Sequence, residues 1–386
     1  MKAIVVGAGF GGLTAAAGLF QRGWDVTVVE RAAELRPVGS GLAVAPNGLR
    51  ALDTLGVGDA VRKLAAFQGD AAVTRSDGRV IARTASKAMI SRFGDAVIPA
   101  TRSSVMDVLT AVLPSDVFKL GVAATGIEAG SASQLPRLLT ESGPLEADLI
   151  VAADGVNSVL RKALFPEHPG PVYSGITAWR ILVPTPAGDF LPGEVWDGGR
   201  VFGITPLADG RTYAYAADHA EPGVIYADEK AELLRRFGDW HFPVPQLVSA
   251  ADPETILHND IYEIAEPLSA YHRGAVAILG DAAHAMTPHL GQGANQAMED
   301  GVTLAALVAP AQGSAEVVTA LARYTALRAP RGADMVRRSH RMGALTQSTS
   351  RPKAALRNLV MGLAGRLVPD LALRAMDPVV AWQPPQ

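Results

Sequence analysis

The chain opens on Lys2 to Val6, a short run of apolar and β-branched residues, followed by Gly7, Gly9 and Gly12 in G-x-G-x-x-G spacing and the helix-forming segment Leu13 to Arg22. That order predicts a buried strand, a tight turn and a helix. A second strand, Asp25 to Val29, ends at Glu30. Strand-helix alternation continues to residue 70, then yields to short alternating stretches, Ala71 to Thr74 and Val80 to Ala82, around a hairpin turn at Asp77-Gly78. Helical periodicity returns over Thr101 to Leu113, and Asp148 to Ala152 reads as another buried strand. From Tyr173 the pattern predicts antiparallel strands over Ser174 to Val183, Gly193 to Trp196, Val201 to Thr205 and Thr212 to Ala216, with turns at Asp197-Gly198-Gly199 and Asp209-Gly210. Helical character resumes near Asp228. After a third buried strand, Ala275 to Leu279, the remainder is mostly helix, with a loose Pro-rich tail at 383–386. The pattern is that of an α/β chain whose first domain is interrupted by a sheet-rich second one.

Composition narrows the setting. A prior of about 100 to 200 residues per domain gives two domains, and a 48% apolar fraction is ample for a sizeable core. The absence of cysteine excludes disulfides, thiolate metal sites and a cysteine nucleophile. A formal charge of −3 offers no basic excess for phosphate backbones, so no nucleic-acid partner is expected. Lys2 leads straight into a core strand without a leader's hydrophobic stretch, and no apolar run reaches about 18 residues. The expectation is a soluble, cytoplasmic protein with no membrane contact.

The candidate chemistry sits at strand ends. Gly7 permits the turn, Gly9 lets backbone approach a pyrophosphate, and Gly12 lets the helix pack on its strand. Glu30 lies about 20 residues further on, where an acid can bond a ribose diol. Asp154 and Gly155, ahead of Ser158 and Arg161, sit where α/β proteins place ligand contacts, although taken by themselves such residues more often serve as a helix N-cap, by Asp154 or Ser158. Gly280-Asp281 ends the third buried strand, and Gly291, Gln292 and Gly293 open the helix Ala294 to Leu307, aiming N–H groups at an anion or an electron-rich ring. His284 lacks the companions of a metal site and is expected to be packed and hydrogen-bonded. Asn295, Glu299 and Asp300 fall on that helix's first turns, where capping groups and negative charge are stabilising. Neither a metal cluster nor a Ser-His-Asp set has convincing spacing.

Gly7-x-Gly9-x-x-Gly12, Glu30-Arg31, Arg102, Asp154-Gly155 and Gly280-Asp281 through Gly291-Gln292-Gly293 with Asn295, Glu299 and Asp300 together resemble the single-component, FAD-dependent aromatic hydroxylases, the class A flavoprotein monooxygenases. The resemblance covers essentially the whole chain. It implies an α/β, para-hydroxybenzoate-hydroxylase-like architecture: a Rossmann-type FAD-binding domain (1–70, 101–172 and 273–350), an inserted sheet-rich substrate domain (71–100 and 173–272) and a C-terminal helical segment (351–386). It further implies non-covalent FAD, with Gly9 and Gly12 flanking the pyrophosphate, Glu30 on the adenosine ribose, Arg102 near the ribityl-phosphate region and Asp281 on the ribityl chain. Asp154 and Gly155 fit a motif tied to both FAD and transient NADPH or NADH, Pro288 to Gly293 would line the isoalloxazine, and the resemblance counts Arg31 and Asn295 among the cofactor-binding residues. The implied reaction is NAD(P)H-driven hydroxylation of a small or medium aromatic or heteroaromatic substrate by O2 through a flavin C4a-hydroperoxide.

The substrate end is less defined. Trp179, Arg180, Arg200, Tyr213 and Tyr215 lie on the predicted strands, and Tyr213 and Tyr215 share a face by period-two alternation. Plain core packing is the favoured account of Trp179 and the tyrosines. The order of Arg200, Pro206, Gly210 and Tyr213 resembles the FAD-dependent urate hydroxylases, with a segment one residue different and Thr212 where they tend to be aromatic. His289, Arg200 and Tyr213 are the candidates for work at the reacting centre, His289 through the loop expected against the isoalloxazine. Trp179-Arg180-Ile181 does not match the tryptophan pair of the halogenases. No counterpart of the phenol hydroxylases' thioredoxin-like domain is expected, which leaves monomer or homodimer. The alternatives are a tetracycline-type drug-inactivating hydroxylase, with a C-terminal helix after Asn358 bridging the domains, and a non-hydroxylating FAD oxidase or reductase.

Overall fold

The computed structural model describes residues 1–35, 40–65, 70–84, 86–131, 133–367 and 369–385. One layer is a six-stranded sheet in the spatial order His272–Arg273, Val276–Ile278, Leu149–Ala152, Lys2–Val6, Asp25–Glu30 and Phe118–Leu120. All neighbours run parallel except the two-residue edge strand. Ile4, Val5, Ile150, Val151 and Ala277 are fully enclosed because helices cover both faces, which is why these strands read as unbroken apolar runs. The helices Phe10–Phe20 and Gly293–Val308 pack on one another beside this sheet and bring the two glycine-rich turns to its carboxyl edge.

The second layer is a seven-stranded sheet in the order Leu257–Glu263, Val172–Pro184, Arg211–His219, Arg200–Pro206, Gly193–Asp197, Ala71–Thr74 and Val80–Thr84. Only the pair Gly193–Asp197 and Ala71–Thr74 is parallel. One face carries Trp179, Ile181, Phe202 and Ile204 onto the helices Glu229–Phe237 and Val244–Ala250. Period-two alternation sends Ala178, Arg180, Tyr213, Tyr215 and Ala217 to the other face, toward the parallel sheet.

The hydrophobic pattern places most strands of the two sheets to within a few residues but omits three of their edge strands, Leu257–Glu263, Phe118–Leu120 and His272–Arg273, and several smaller pieces. Three strands, Ala124–Glu128, Arg137–Thr140 and Gly143–Glu146, form a separate small sheet, and Gly41–Val44 pairs with Ile98–Thr101. These are short and half-exposed, so their alternation is weak. Ser314–Thr346 is a single helix that continues through Pro330. The C-terminal segment forms helices Arg351–Leu367 and Pro369–Val380. It is tied at both ends: Arg50 donates to the Val380 carbonyl at 2.7 Å, and Arg357 donates to the Thr346 carbonyl at 2.8 Å while lying over the Trp196 ring. Residues 383–385 have no regular structure and Gln386 lies outside the described residues, whereas Trp382 packs on the core. No helix among the described residues is long and apolar enough to cross a membrane.

Candidate active site

A cleft of about 870 Å³ runs between the two sheets, from the turn after Lys2–Val6 to the turn before Gly293–Val308. Gly7, Gly9, Gly12, Glu30 and Arg31 line one end. Gly7 has a φ of +103°, and a Cβ on Gly12 would stand 1.9 Å from the Gly7 carbonyl oxygen, so both must be glycine for the helix to start where it does. A Cβ on Gly9 would meet nothing within 4 Å. The helix that begins at Phe10 has no side-chain cap, which leaves its first N–H groups for a ligand at the cleft's edge. Glu30 accepts from the Ala8 and Ala32 N–H groups at 2.8 and 2.9 Å, so the acid fixes the turn and retains lone pairs for a diol. This open, donor-lined turn fits a pyrophosphate.

Farther along, Arg102 stacks over the Phe10 ring at 4.8 Å. Burial pulls its guanidinium below its ordinary value, and the negative charge of Asp281 opposes that effect. Asp281 is exposed to the cleft beside Gly293. Asp154 both lines the cleft and caps a helix: its carboxylate accepts from Ser158 Oγ at 2.5 Å and Leu160 N at 3.2 Å. The next wall is Pro288, His289, Gly291, Gln292 and Gly293, with Gly291 at a φ of +60°. The Gln292 side chain turns inward to accept from Asn47 Nδ2 at 2.9 Å, so only its backbone is available to the cleft. His289 is half-buried, with Nε2 at 2.8 Å from Gln347 Oε1, and burial lowers its pKa.

Two expectations are corrected. Arg200 shares the sheet face of Phe202, not that of Tyr213; its guanidinium donates to the Arg236 carbonyl and lies over Phe237 and Trp240, away from the cleft. Asn295 is fully buried beneath the turn: its Oδ1 accepts from Ala45 N at 2.9 Å, and its Nδ2 donates to the carbonyls of Ala43 at 3.0 Å and Gly291 at 2.8 Å. It clamps the loop from behind. Trp179 is fully buried on the far face, stacked on His258 at 4.5 Å, in accord with core packing.

The floor instead holds Arg180, Tyr213, Tyr215, Thr205 and Glu194. Arg180 forms no ion pair among the described residues; its guanidinium donates to Asn259 Oδ1 at 3.2 Å and lies against the Tyr213 hydroxyl. Tyr213 and Tyr215 stand 6.0 Å apart, ring centre to ring centre. Burial raises the Tyr213 phenol, with Arg180 opposing. Glu194 gave no signal because a single acid on an otherwise apolar strand reads as solvent-facing; its position opposite Gly203 puts it on the cleft face. Gln347, on the loop after the long helix, lies too far along the chain to be linked to His289 by spacing.

Behind the site, His284 is packed as expected, with Nε2 at 2.5 Å from Asp300 Oδ2. Glu299 and Asp300 prove to be more than helix-turn charges. Arg328 reaches Asp300 at 2.6 Å and Glu299 at 2.5 Å, Arg331 reaches Glu299 at 2.6 Å, and Asp300 also accepts from the Gly280 N–H at 2.9 Å. No cluster able to hold a metal occurs among the described residues.

The fold and this cleft define a flavin-dependent aromatic hydroxylase. The chain belongs to the FAD binding domain family, whose model matches residues 1–179 and 253–339. It is 36% identical to the aurachin C monooxygenase/isomerase of Stigmatella aurantiaca over 90% of each chain, and 34% identical to an FAD-dependent urate hydroxylase of Klebsiella pneumoniae over 87% of this chain and 88% of that one. The crystal structure of Klebsiella pneumoniae HpxO complexed with FAD and uric acid superposes with a TM-score of 0.87 at 29% identity, covering 96% of this chain and 95% of that one. The protein is thus an FAD-dependent monooxygenase of aromatic or heteroaromatic substrates. Tetracycline destructases share its fold at 16% and 19% identity, which makes drug inactivation the weaker alternative.

Proposed function

We propose that FAD lies extended along the cleft and that the substrate rests on the sheet floor beside Arg180 and Tyr213. The observation that carries this reading is the continuity of the cleft from Gly9 and Glu30, past Arg102 and Asp281, to Pro288–Gly293 and Tyr213. In this assignment Gly7, Gly9 and Gly12 hold the pyrophosphate and Glu30 with Arg31 the adenosine end. Arg102, Asp154 and Asp281 serve the middle, and the backbone of Gly291, Gln292 and Gly293 serves the ring. Residues 1–70, 101–172 and 273–350 then act as the FAD-binding domain, 71–100 and 173–272 as the substrate domain, and the C-terminal helices as the brace. Bound FAD supplies the two-electron chemistry with NAD(P)H and O2. The chain's own residues bind, orient and exclude water.

The substrate class we propose is an ionisable aromatic or azaheteroaromatic ring, bound through an oxygen or carboxylate. Arg180 is a cation without a carboxylate partner among the described residues, and Tyr213 lies beside it. The hydroxylase reading is tested by screening uric acid, 3-amino-4-hydroxybenzoate and 4-hydroxyquinoline for acceleration of NAD(P)H oxidation by the FAD-loaded protein. Labelled O2 then reports whether one oxygen atom enters the product. Hydrogen peroxide in stoichiometric yield, with no label in product from any accelerating compound, would leave the oxidase alternative standing.

A further inference from the structure

Glu194 occupies an unusual place for a carboxyl group. It sits on Gly193–Asp197, on the sheet face that floors the cleft, opposite Gly203 of the neighbouring strand. Gly203 has no side chain to separate it from the next strand: a Cβ there would fall 2.0 Å from Tyr215 Cε1. The Tyr215 ring therefore lies across Gly203, and its hydroxyl reaches Glu194 Oε1. The other carboxyl oxygen, Oε2, accepts from the Trp196 indole N–H at 2.6 Å. No cation pairs with Glu194 among the described residues. The charged and titratable groups around it are Tyr215 and Tyr213 on the floor, Arg180 beyond Tyr215, Arg102, Asp281 and His289 on the facing wall, and Arg357 over the outer side of Trp196.

Donor and acceptor rules decide what this trio offers a ligand. An indole N–H only donates, so Oε2 accepts, and because the carbonyl oxygen of a neutral acid is the better acceptor this contact favours a carboxyl proton on Oε1. A proton on Oε1 is donated to the Tyr215 oxygen, and the tyrosine's own hydrogen then turns away from Glu194 toward the cleft. When Glu194 is ionised the order reverses: Tyr215 donates to Oε1 and shows the cleft only lone pairs. Desolvation on the cleft floor, with no cation beside it among the described residues, raises the Glu194 pKa against the opposing hydrogen bonds from Tyr215 and Trp196.

We propose that protonated Glu194, acting through Tyr215, is a substrate-positioning residue: it presents one hydroxyl donor to the cleft and selects aromatic rings that place an oxygen acceptor, a ring carbonyl or phenolic oxygen, against Tyr215. This rests on the cleft floor being the substrate site. Arg180 and the Tyr215 donor then hold a ring by two points, which fixes the face and edge presented for oxygenation.

The test uses the FAD-loaded full chain. Infrared difference spectra of wild type minus Glu194→Gln should show the carbonyl stretch of a protonated acid near neutral pH; a carboxylate band in its place overturns the proposal whatever the substrate. Binding of 4-hydroxyquinoline, uric acid and 3-amino-4-hydroxybenzoate is then followed through the flavin absorbance. Loss of one neutral hydrogen bond predicts that Tyr215→Phe weakens the best-bound probe by about three- to tenfold, with FAD retention unchanged as proof of folding. In Glu194→Gln, Trp196 holds the amide oxygen and leaves the amide N–H to donate to Tyr215, which mimics the neutral acid. That variant should bind like wild type near neutral pH and stay flat as pH rises, while wild-type affinity falls. Unchanged binding by Tyr215→Phe, or a Glu194→Gln profile that follows wild type at high pH, overturns the proposal. A protonated Glu194 in a protein that binds none of the three probes would instead count against the floor as the substrate site, and the recognition role falls with it.

Discussion

His289 is held by Gln347: its Nε2 lies 2.8 Å from the Gln347 side-chain oxygen, and the ring rests against Gly343, where a Cβ would come within 2.7 Å of the imidazole. An amide oxygen accepts, so Nε2 carries a hydrogen and the neutral ring's Nδ1 is left as an acceptor, which has no partner among the described residues. The contact joins the turn bordering the cleft to the loop after the long helix.

The first prediction concerns coupling. Because burial lowers the His289 pKa from its usual value of about 6.5, the ring is neutral above that value and any charge it gains appears only below it. Product formed per NAD(P)H consumed should therefore owe nothing to His289 titration on the alkaline side, and any histidine-linked decline on the acidic side should be absent in His289→Gln. His289→Ala, which also removes the tether to Gln347, should lower coupling at every pH. Equal coupling in wild type and His289→Ala would remove this histidine from the site's working parts.

A second prediction separates two glycines of the same turn. Gly12→Ala drives a methyl into the Gly7 carbonyl, whereas Gly9→Ala puts one into open space. Gly12→Ala should lower the melting temperature of the FAD-free protein by several degrees, matching an overpacking cost of about 1–3 kcal/mol. Gly9→Ala should leave that melting temperature unchanged and weaken FAD at least tenfold. If Gly9→Ala retained full FAD affinity, the pyrophosphate would have to lie elsewhere.

The difference between what could and could not be read from the chain has physical causes. The cofactor half of the cleft is made of glycines at forced geometry and acids at strand ends, features that are local in sequence, and Gly7, Gly9, Gly12, Glu30 and Asp281 all line the cleft. The substrate half depends on which sheet face looks inward. Tyr213 and Tyr215 could be paired by alternation, but Arg200, one residue out of phase with Val201 and Gly203, falls on the wrong side. Asn295 failed for another reason: helix position says where a side chain starts, and only the packed loop residues Ala43 and Ala45 show that its amide is already used. Glu194 and Gln347 depend on partners that spacing alone does not connect.

Asp281 supplies a third prediction. Its side chain is exposed to the cleft beside Gly293, and no hydrogen bond to it is present among the described residues, so a cap role does not account for it. Asp281→Ala should cost FAD binding about 2 kcal/mol, the range for a charge-assisted hydrogen bond. The FAD-free protein should melt as before. Titration of FAD into both proteins, read by flavin fluorescence, checks it; a lower melting temperature with intact FAD affinity would return Asp281 to a structural role.

The last prediction concerns the charged layer behind the site. Burial tends to raise the Asp300 pKa, but Arg328 and His284 outweigh it and hold the carboxyl at about 2. The unfolded value is about 3.9. A folded pKa below the unfolded one means that the unfolded chain takes up the proton first as pH falls. The stabilisation is therefore complete above about pH 5, shrinks through the unfolded value and is lost below about pH 2, a contribution on the order of 2 kcal/mol. Asp300→Asn leaves Arg328 with Glu299 as its one carboxylate partner among the described residues and weakens the bond that holds the Gly280 N–H in front of Asp281. Near neutral pH the variant should be less stable by about 3–5 kcal/mol, the cost of breaking a buried pair, and its deficit against wild type should narrow as the pH is lowered. Urea unfolding of both proteins at neutral and at acidic pH measures that gap; a deficit that stays constant with pH would show that Asp300 does not carry its charge into the folded state.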